Sequence, residues 1–250
     1  MKLLIDIGNT HSHCGTCTEL RICRDAIMPT SYWSDKRGQK WLTNFIGKTY
    51  LDQAIVCSVV PSSTRQAIKT IDEMGINTHK LTHKNCGVQI DYPRPSSIGV
   101  DRLANARAGL DEFGSPLIAV DFGTALTFDV VNGYGEYVGG VIAPGLSAIT
   151  EYLHNKTALL PQIKLSSPGT VIGKSTKQAM RIGAVHGYRG LVKELIREIK
   201  LSLRSRRLSV VATGGYASLI ARNITEINAV RPKLTLDGLR LILLKTEKLW

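Results

Sequence analysis

Two short apolar stretches, Leu3-Leu4-Ile5-Asp6-Ile7-Gly8-Asn9-Thr10 and Ile118-Ala119-Val120-Asp121-Phe122-Gly123-Thr124, end in the same way: an Asp, one apolar residue, a Gly, and a Thr within two residues. Each reads as a strand that delivers a carboxylate to a turn. Alternating strand-like stretches follow both, His11 to Thr18 and Leu20 to Ile27 in the first half, Leu126 to Val131 and Tyr137 to Ile142 in the second. Asn132-Gly133-Tyr134-Gly135 reads as the hairpin turn between the last two. A β-rich unit written twice constrains the fold to a duplication.

Between the copies, helix and strand alternate. Trp41 to Gly47 and Ser63 to Met74 have helical spacing, Gln53 to Val60 is strand-like, and Asp101 to Phe113 has the spacing of a helix with Asp101 as its N-cap. The second half repeats the alternation with a helix from Lys174 to Leu203, a strand from Leu208 to Ala212 and a last helix from Leu236 to Lys245. The turn-rich Gly114-Ser115-Pro116 marks a boundary, giving domains 1–114 and 115–250, each an α/β unit. The chain of 250 residues is long enough for two cores.

Composition excludes several classes. A 43% hydrophobic and 21% charged chain is not disordered. No apolar run reaches the roughly 18 residues that span a bilayer, and no signal peptide opens the chain, so a cytoplasmic protein without a membrane partner is expected. Five irregularly spaced cysteines do not form a disulfide framework. Strand alternation separates His11 and His13 from Cys14, which argues against a metal cluster there. The net charge of +12 concentrates anions without choosing among them. The basic run Arg204 to Arg207 lacks interleaved aromatics and reads as a solvated helix end, so nucleic acid is not an expected partner.

The chemistry gathers at the turns. A Gly after a strand-end Asp lets backbone approach a phosphate, while N–H groups and a Thr hydroxyl donate to its oxygens. A third element, Val210-Val211-Ala212-Thr213-Gly214-Gly215, runs a β-branched strand into a glycine pair over which a purine or ribose can lie flat. In this order the three turns resemble the phosphate, phosphate and adenosine elements of the actin-like and sugar-kinase ATPases. That fold, duplicated and ribonuclease H-like with a nucleotide cleft between its domains, is the expected architecture.

With Gly99-Val100-Asp101-Arg102 and Gly139-Gly140-Val141-Ile142-Ala143-Pro144-Gly145 added, the set spans nearly the whole chain and resembles a type III pantothenate kinase. The resemblance implies an ATP-dependent kinase that phosphorylates pantothenate to 4'-phosphopantothenate in the first step of coenzyme A synthesis. It implies Asp101 as catalytic base and Asp6, Ile7, Gly8, Asn9, Thr10, His11, Ser12, His13, Thr124, Gly214 and Gly215 as nucleotide-binding residues. It also implies pantothenate contacts from Tyr92, Gly99, Val100, Asp101, Arg102 and Thr176. Asp121 would hold a monovalent cation, K⁺ or NH₄⁺, with Mg²⁺ accompanying ATP, and the enzyme would be a homodimer. Two departures fall on the acceptor side: Tyr92-Pro93-Arg94-Pro95 replaces the family's Tyr-Asp-Asn-Pro, and Val100 replaces Ala. The alternatives are a kinase for another small alcohol and a non-catalytic, transcription-regulating accessory member of the family.

Overall fold

The computed structural model describes residues 1–205 and 207–247. It divides into two compact units, one formed by residues 1–112 and the chain from Lys233 onward, the other by residues 113–232. In the first unit, β1 (Lys2–Ile7), β2 (His11–Cys17) and β3 (Ile22–Pro29) form an antiparallel meander. A 3₁₀ turn (Thr30–Ser34) leads to α1 (Lys36–Ile46), started by Asp35, whose carboxylate accepts from the Arg37 N–H at 2.8 Å. Next come β4 (Gln53–Ser58), α2 (Pro61–Glu73) with Pro61 at its start, β5 (Asn77–Lys80), the two-residue β6 (Gln89–Ile90) and α3 (Val100–Phe113). The sheet order is β3-β2-β1-β4-β5, with β1, β4 and β5 parallel.

The second unit repeats this plan. β7 (Leu117–Phe122), β8 (Ala125–Val131) and β9 (Glu136–Pro144) form the meander, followed by α4 (Leu146–Lys156), α5 (Thr176–Ser202), β10 (Ser209–Thr213), α6 (Ala217–Ala221) and β11 (Ala229–Val230). Its strands run β9-β8-β7-β10-β11, again with the last three parallel. The Asn132 side chain closes the expected hairpin turn by accepting from the N–H groups of Tyr134 and Glu136 at 2.9 and 3.0 Å. Helix α5 ends at Ser202; Arg204 and Arg207 of the basic run are exposed, and Arg206 lies outside the described residues.

Strand alternation sorts the residues of β1. Leu3, Ile5 and Ile7 join Met28, Leu42, Phe45, Val56 and Ile71 in a core under α1 and α2. Leu4 and Asp6 therefore face the other side, with Ile55 and Cys57 of β4. In the second unit, Val120 and Phe122 pack with Leu126, Phe128, Val185, Tyr188 and Ile220.

The expected division at 114 differs from the structure at the C-terminus. The last helix, α7 (Leu234–Glu247), belongs to the first unit and packs against β1, β2, β3 and β4. Leu236, Leu239, Ile242 and Leu243 are buried there, and Lys233 reaches Asp25 at 2.5 Å. The apolar stripe of α7 identifies an amphipathic helix but not the sheet it covers. Helix α4 and the short elements β5, α6 and β11 are further findings without a strong signal in the sequence.

Candidate active site

In the first unit, β1 delivers Asp6 in register with Cys57 of the parallel β4. Cys57 is fully buried, and its thiol is pushed far above the usual range, first by burial, then by the negative charges of Asp6 and Asp101. It therefore remains a protonated thiol, and it is hydrogen-bonded to Asp6. Both carboxylates are thus near enough to Cys57 for their charge to act on its thiol.

Asp101 is not the N-cap of α3. The helix begins at Val100, which puts Asp101 in its first turn, where its Oδ1 accepts from the Arg102 N–H at 2.9 Å. Acidic groups in a first helical turn are favoured by the positive end of the macrodipole. Burial nonetheless raises the pKa of Asp101, against the opposing N–H and charge of Arg102. A side chain at position 99 would place its Cβ 2.5 Å from Asp101 Oδ1, so the Gly of the Gly-x-Asp-Arg motif leaves room for the carboxylate.

The residues after Asp6 divide by exposure. Asn9, Thr10 and His11 are exposed, and Gly8 is half-buried, its N–H donating to the His11 carbonyl at 3.0 Å. Ile7 and Ser12 are fully buried, so neither presents surface to a nucleotide. His13 turns its ring to Asp25, with Nε2 2.8 Å from the carboxylate. Tyr92 is exposed, and Gly99, Val100 and Arg102 lie around the start of α3.

In the second unit, β7 delivers Asp121 in register with Thr213 of the parallel β10, the same relation that joins Asp6 to Cys57. A Cβ on Gly214 would lie 2.4 Å from Asp121 Oδ1 and 2.6 Å from the Phe122 carbonyl carbon, and one on Gly145 would lie 2.1 Å from the Thr124 oxygen. Gly214 also has φ +90, a conformation natural to glycine. The Tyr216 N–H donates to the Phe122 oxygen at 3.2 Å. The glycines therefore bring the Asp121 turn, the end of β9 and the Gly214-Gly215 turn into direct contact, with Thr124 and Gly215 exposed. Thr176 is an exposed residue at the start of α5, whose N-cap is Ser175.

Sequence reasoning treated Cys57 only as one thiol among five. The signal that singles it out, its register with Asp6, exists only once β1 and β4 are paired. Among the described residues no cluster of three or more His, Cys, Asp or Glu side chains could hold a metal, and all five cysteines are free.

Paired sheets of one topology, each ending its first strand in Asp-x-Gly, define the actin-like and sugar-kinase ATPase fold. Solved structures agree. A protein of the Baf transcriptional-activator family from Campylobacter jejuni superposes with a TM-score of 0.59 at 18% identity, over 99% of this chain and 100% of the other. The activator of 2-hydroxyisocaproyl-CoA dehydratase from Clostridium difficile, with bound ADPNP, gives 0.54 at 12% identity, over 99% and 96%. At such identities these likenesses concern the fold alone.

Residues 2–198 match the type III pantothenate kinase family, and the chain belongs to that family. Type III pantothenate kinases of Akkermansia muciniphila and Bacillus cytotoxicus are 44% and 36% identical to it, over 96% and 97% of this chain and 96% and 95% of theirs.

Proposed function

We propose that the protein transfers the γ-phosphoryl group of ATP to the primary hydroxyl of pantothenate, giving 4'-phosphopantothenate for coenzyme A synthesis. The carrying observation is the part-buried Asp101 carboxylate, fixed in the first turn of α3 by the Arg102 N–H, given room by Gly99 and raised in pKa by desolvation. Phosphoryl transfer is mostly positioning and charge neutralisation, so the chain must orient a hydroxyl, accept its proton and hold the phosphates. Asp101 is suited to accept that proton, because a carboxylate whose pKa is raised toward the working pH is a stronger base. The Gly8 to His11 turn offers backbone donors to phosphate oxygens, and Arg102 adds positive charge beside the base. Thr124 and the Gly214-Gly215 turn bind the rest of the nucleotide. Tyr92, Gly99 to Arg102 and Thr176 contact pantothenate.

Mg²⁺ fits this donor set. Asp6 supplies a hard oxygen, and Mg²⁺ is commonly held by one or two carboxylates together with substrate phosphates and water. When bound, it neutralises phosphate charge. Asp121, at the meeting of two glycine turns, offers an oxygen to a monovalent cation such as K⁺ or NH₄⁺. The working enzyme is a cytoplasmic homodimer on this reading; among the described residues no helix is long and apolar enough to cross a membrane.

ATP consumption measured with pantothenate, without it, and with a panel of other small alcohols tests the assignment. Pantothenate is expected to stimulate turnover most. Stimulation by another alcohol alone would move the substrate, and none by any acceptor would remove the kinase reading.

A further inference from the structure

The turn after β1 is clasped from behind by the first residue after β3. Thr30 is 4% exposed; its hydroxyl donates to the Gly8 carbonyl at 2.7 Å and its N–H to the Thr10 carbonyl at 3.0 Å. Behind it, Ser12 Oγ lies 3.0 Å from Thr30 Oγ1, and the Trp33 indole N–H donates to Ser12 Oγ at 3.0 Å. An indole nitrogen only donates and a carbonyl only accepts. The relay therefore has one direction: Trp33 to Ser12, Ser12 to Thr30, Thr30 to Gly8. Ser12 and Trp33 are 0% and 2% exposed, so water does not compete for these bonds.

A trans peptide points its C=O and N–H in opposite directions. A Gly8 carbonyl held toward Thr30 therefore turns the Asn9 N–H away from Thr30, and a Thr10 carbonyl held the same way turns the His11 N–H away from it as well. Asn9 and His11 are exposed. We propose that Thr30 is a positioning residue which, by holding these two carbonyls, aims the Asn9 and His11 amides at the phosphates of ATP. This rests on the reading of the first Asp-x-Gly turn as phosphate-binding.

Thr30→Val removes the hydroxyl donor at nearly constant volume. KM and Kd for ATP should rise about tenfold, the worth of one hydrogen bond, with KM for pantothenate changed by less than about twofold. Thr30→Ser should restore ATP binding. Trp33→Phe disturbs an equally buried site at the far end of the relay but leaves the Thr30 donor in place, so it should lower the melting temperature while leaving KM for ATP near wild type. Wild-type Kd for ATP in Thr30→Val, or a loss in Trp33→Phe as large as in Thr30→Val, would overturn the clasp. Hydrogen exchange of the wild-type protein supplies a test independent of variant folding: the Asn9 and His11 amides should slow when ATP is added, and unchanged exchange at both would also overturn it. Asp6→Ala separates the two levels, because ATP binding and turnover at wild-type values in that variant would refute the phosphate-binding reading itself.

Discussion

Asp101 makes the sharpest demands at the scale of single residues. Asp101→Asn keeps an oxygen for the Arg102 N–H but loses basicity, so turnover should fall by about 10² to 10⁴-fold while Kd for ATP changes little. A small loss of turnover with a large loss of ATP affinity would place Asp101 in the nucleotide site instead. The raised pKa also carries a sign. The folded state binds the Asp101 proton more tightly than the unfolded state, so its contribution to stability is full below the ordinary aspartate value and is lost as pH rises through the folded value. Removing the charge should therefore raise the melting temperature at neutral pH, with the gain shrinking in acid. A variant less stable than wild type at pH 7 would contradict the burial of this charge. Gly99 shows how such a site reads in sequence: Gly-x-Asp-Arg is visible as a motif, but its steric reason, a carboxylate oxygen 2.5 Å from a would-be Cβ, is not.

At the scale of elements, the last helix links stability to the site. A Cβ on Gly238 of α7 would lie 2.0 Å from the Ala104 carbonyl oxygen of α3, and the Thr235 hydroxyl donates to Asn105 Oδ1 at 2.8 Å. Both contacts fall three or four residues along α3 from Asp101, about one turn away. Gly238→Ala should force the two helices apart, lowering stability by about 1–3 kcal/mol and turnover with it, as overpacking at a helix crossing does. Thermal unfolding and kcat measured on one preparation check this, and an unchanged melting temperature would show that the crossing relaxes freely. The helix was readable from its apolar spacing. Its partner was not, because an amphipathic stripe states that something is covered without stating what.

The whole molecule carries a net charge of +12, which attracts ATP by itself and makes any salt effect ambiguous unless ionic strength is fixed. Under that control, replacing Na⁺ with K⁺ or NH₄⁺ should raise activity, and Asp121→Asn should weaken the response. Equal rates in all three salts would remove the monovalent site from Asp121. The duplicated topology supports the comparison between units: Cys57 beside Asp6 and Thr213 beside Asp121 occupy the same register position in their sheets.

The duplication, the three glycine turns and the motif residues are legible in the sequence, because strand alternation and turn chemistry are local and leave a periodic trace. What lies beside them emerges with the fold. The return of α7 to the first unit, the pairing of Asp6 with Cys57, and the chain of bonds from Trp33 through Ser12 and Thr30 to Gly8 join residues far apart in sequence. Such partners are fixed by packing and register, and neither is written in the spacing of one segment.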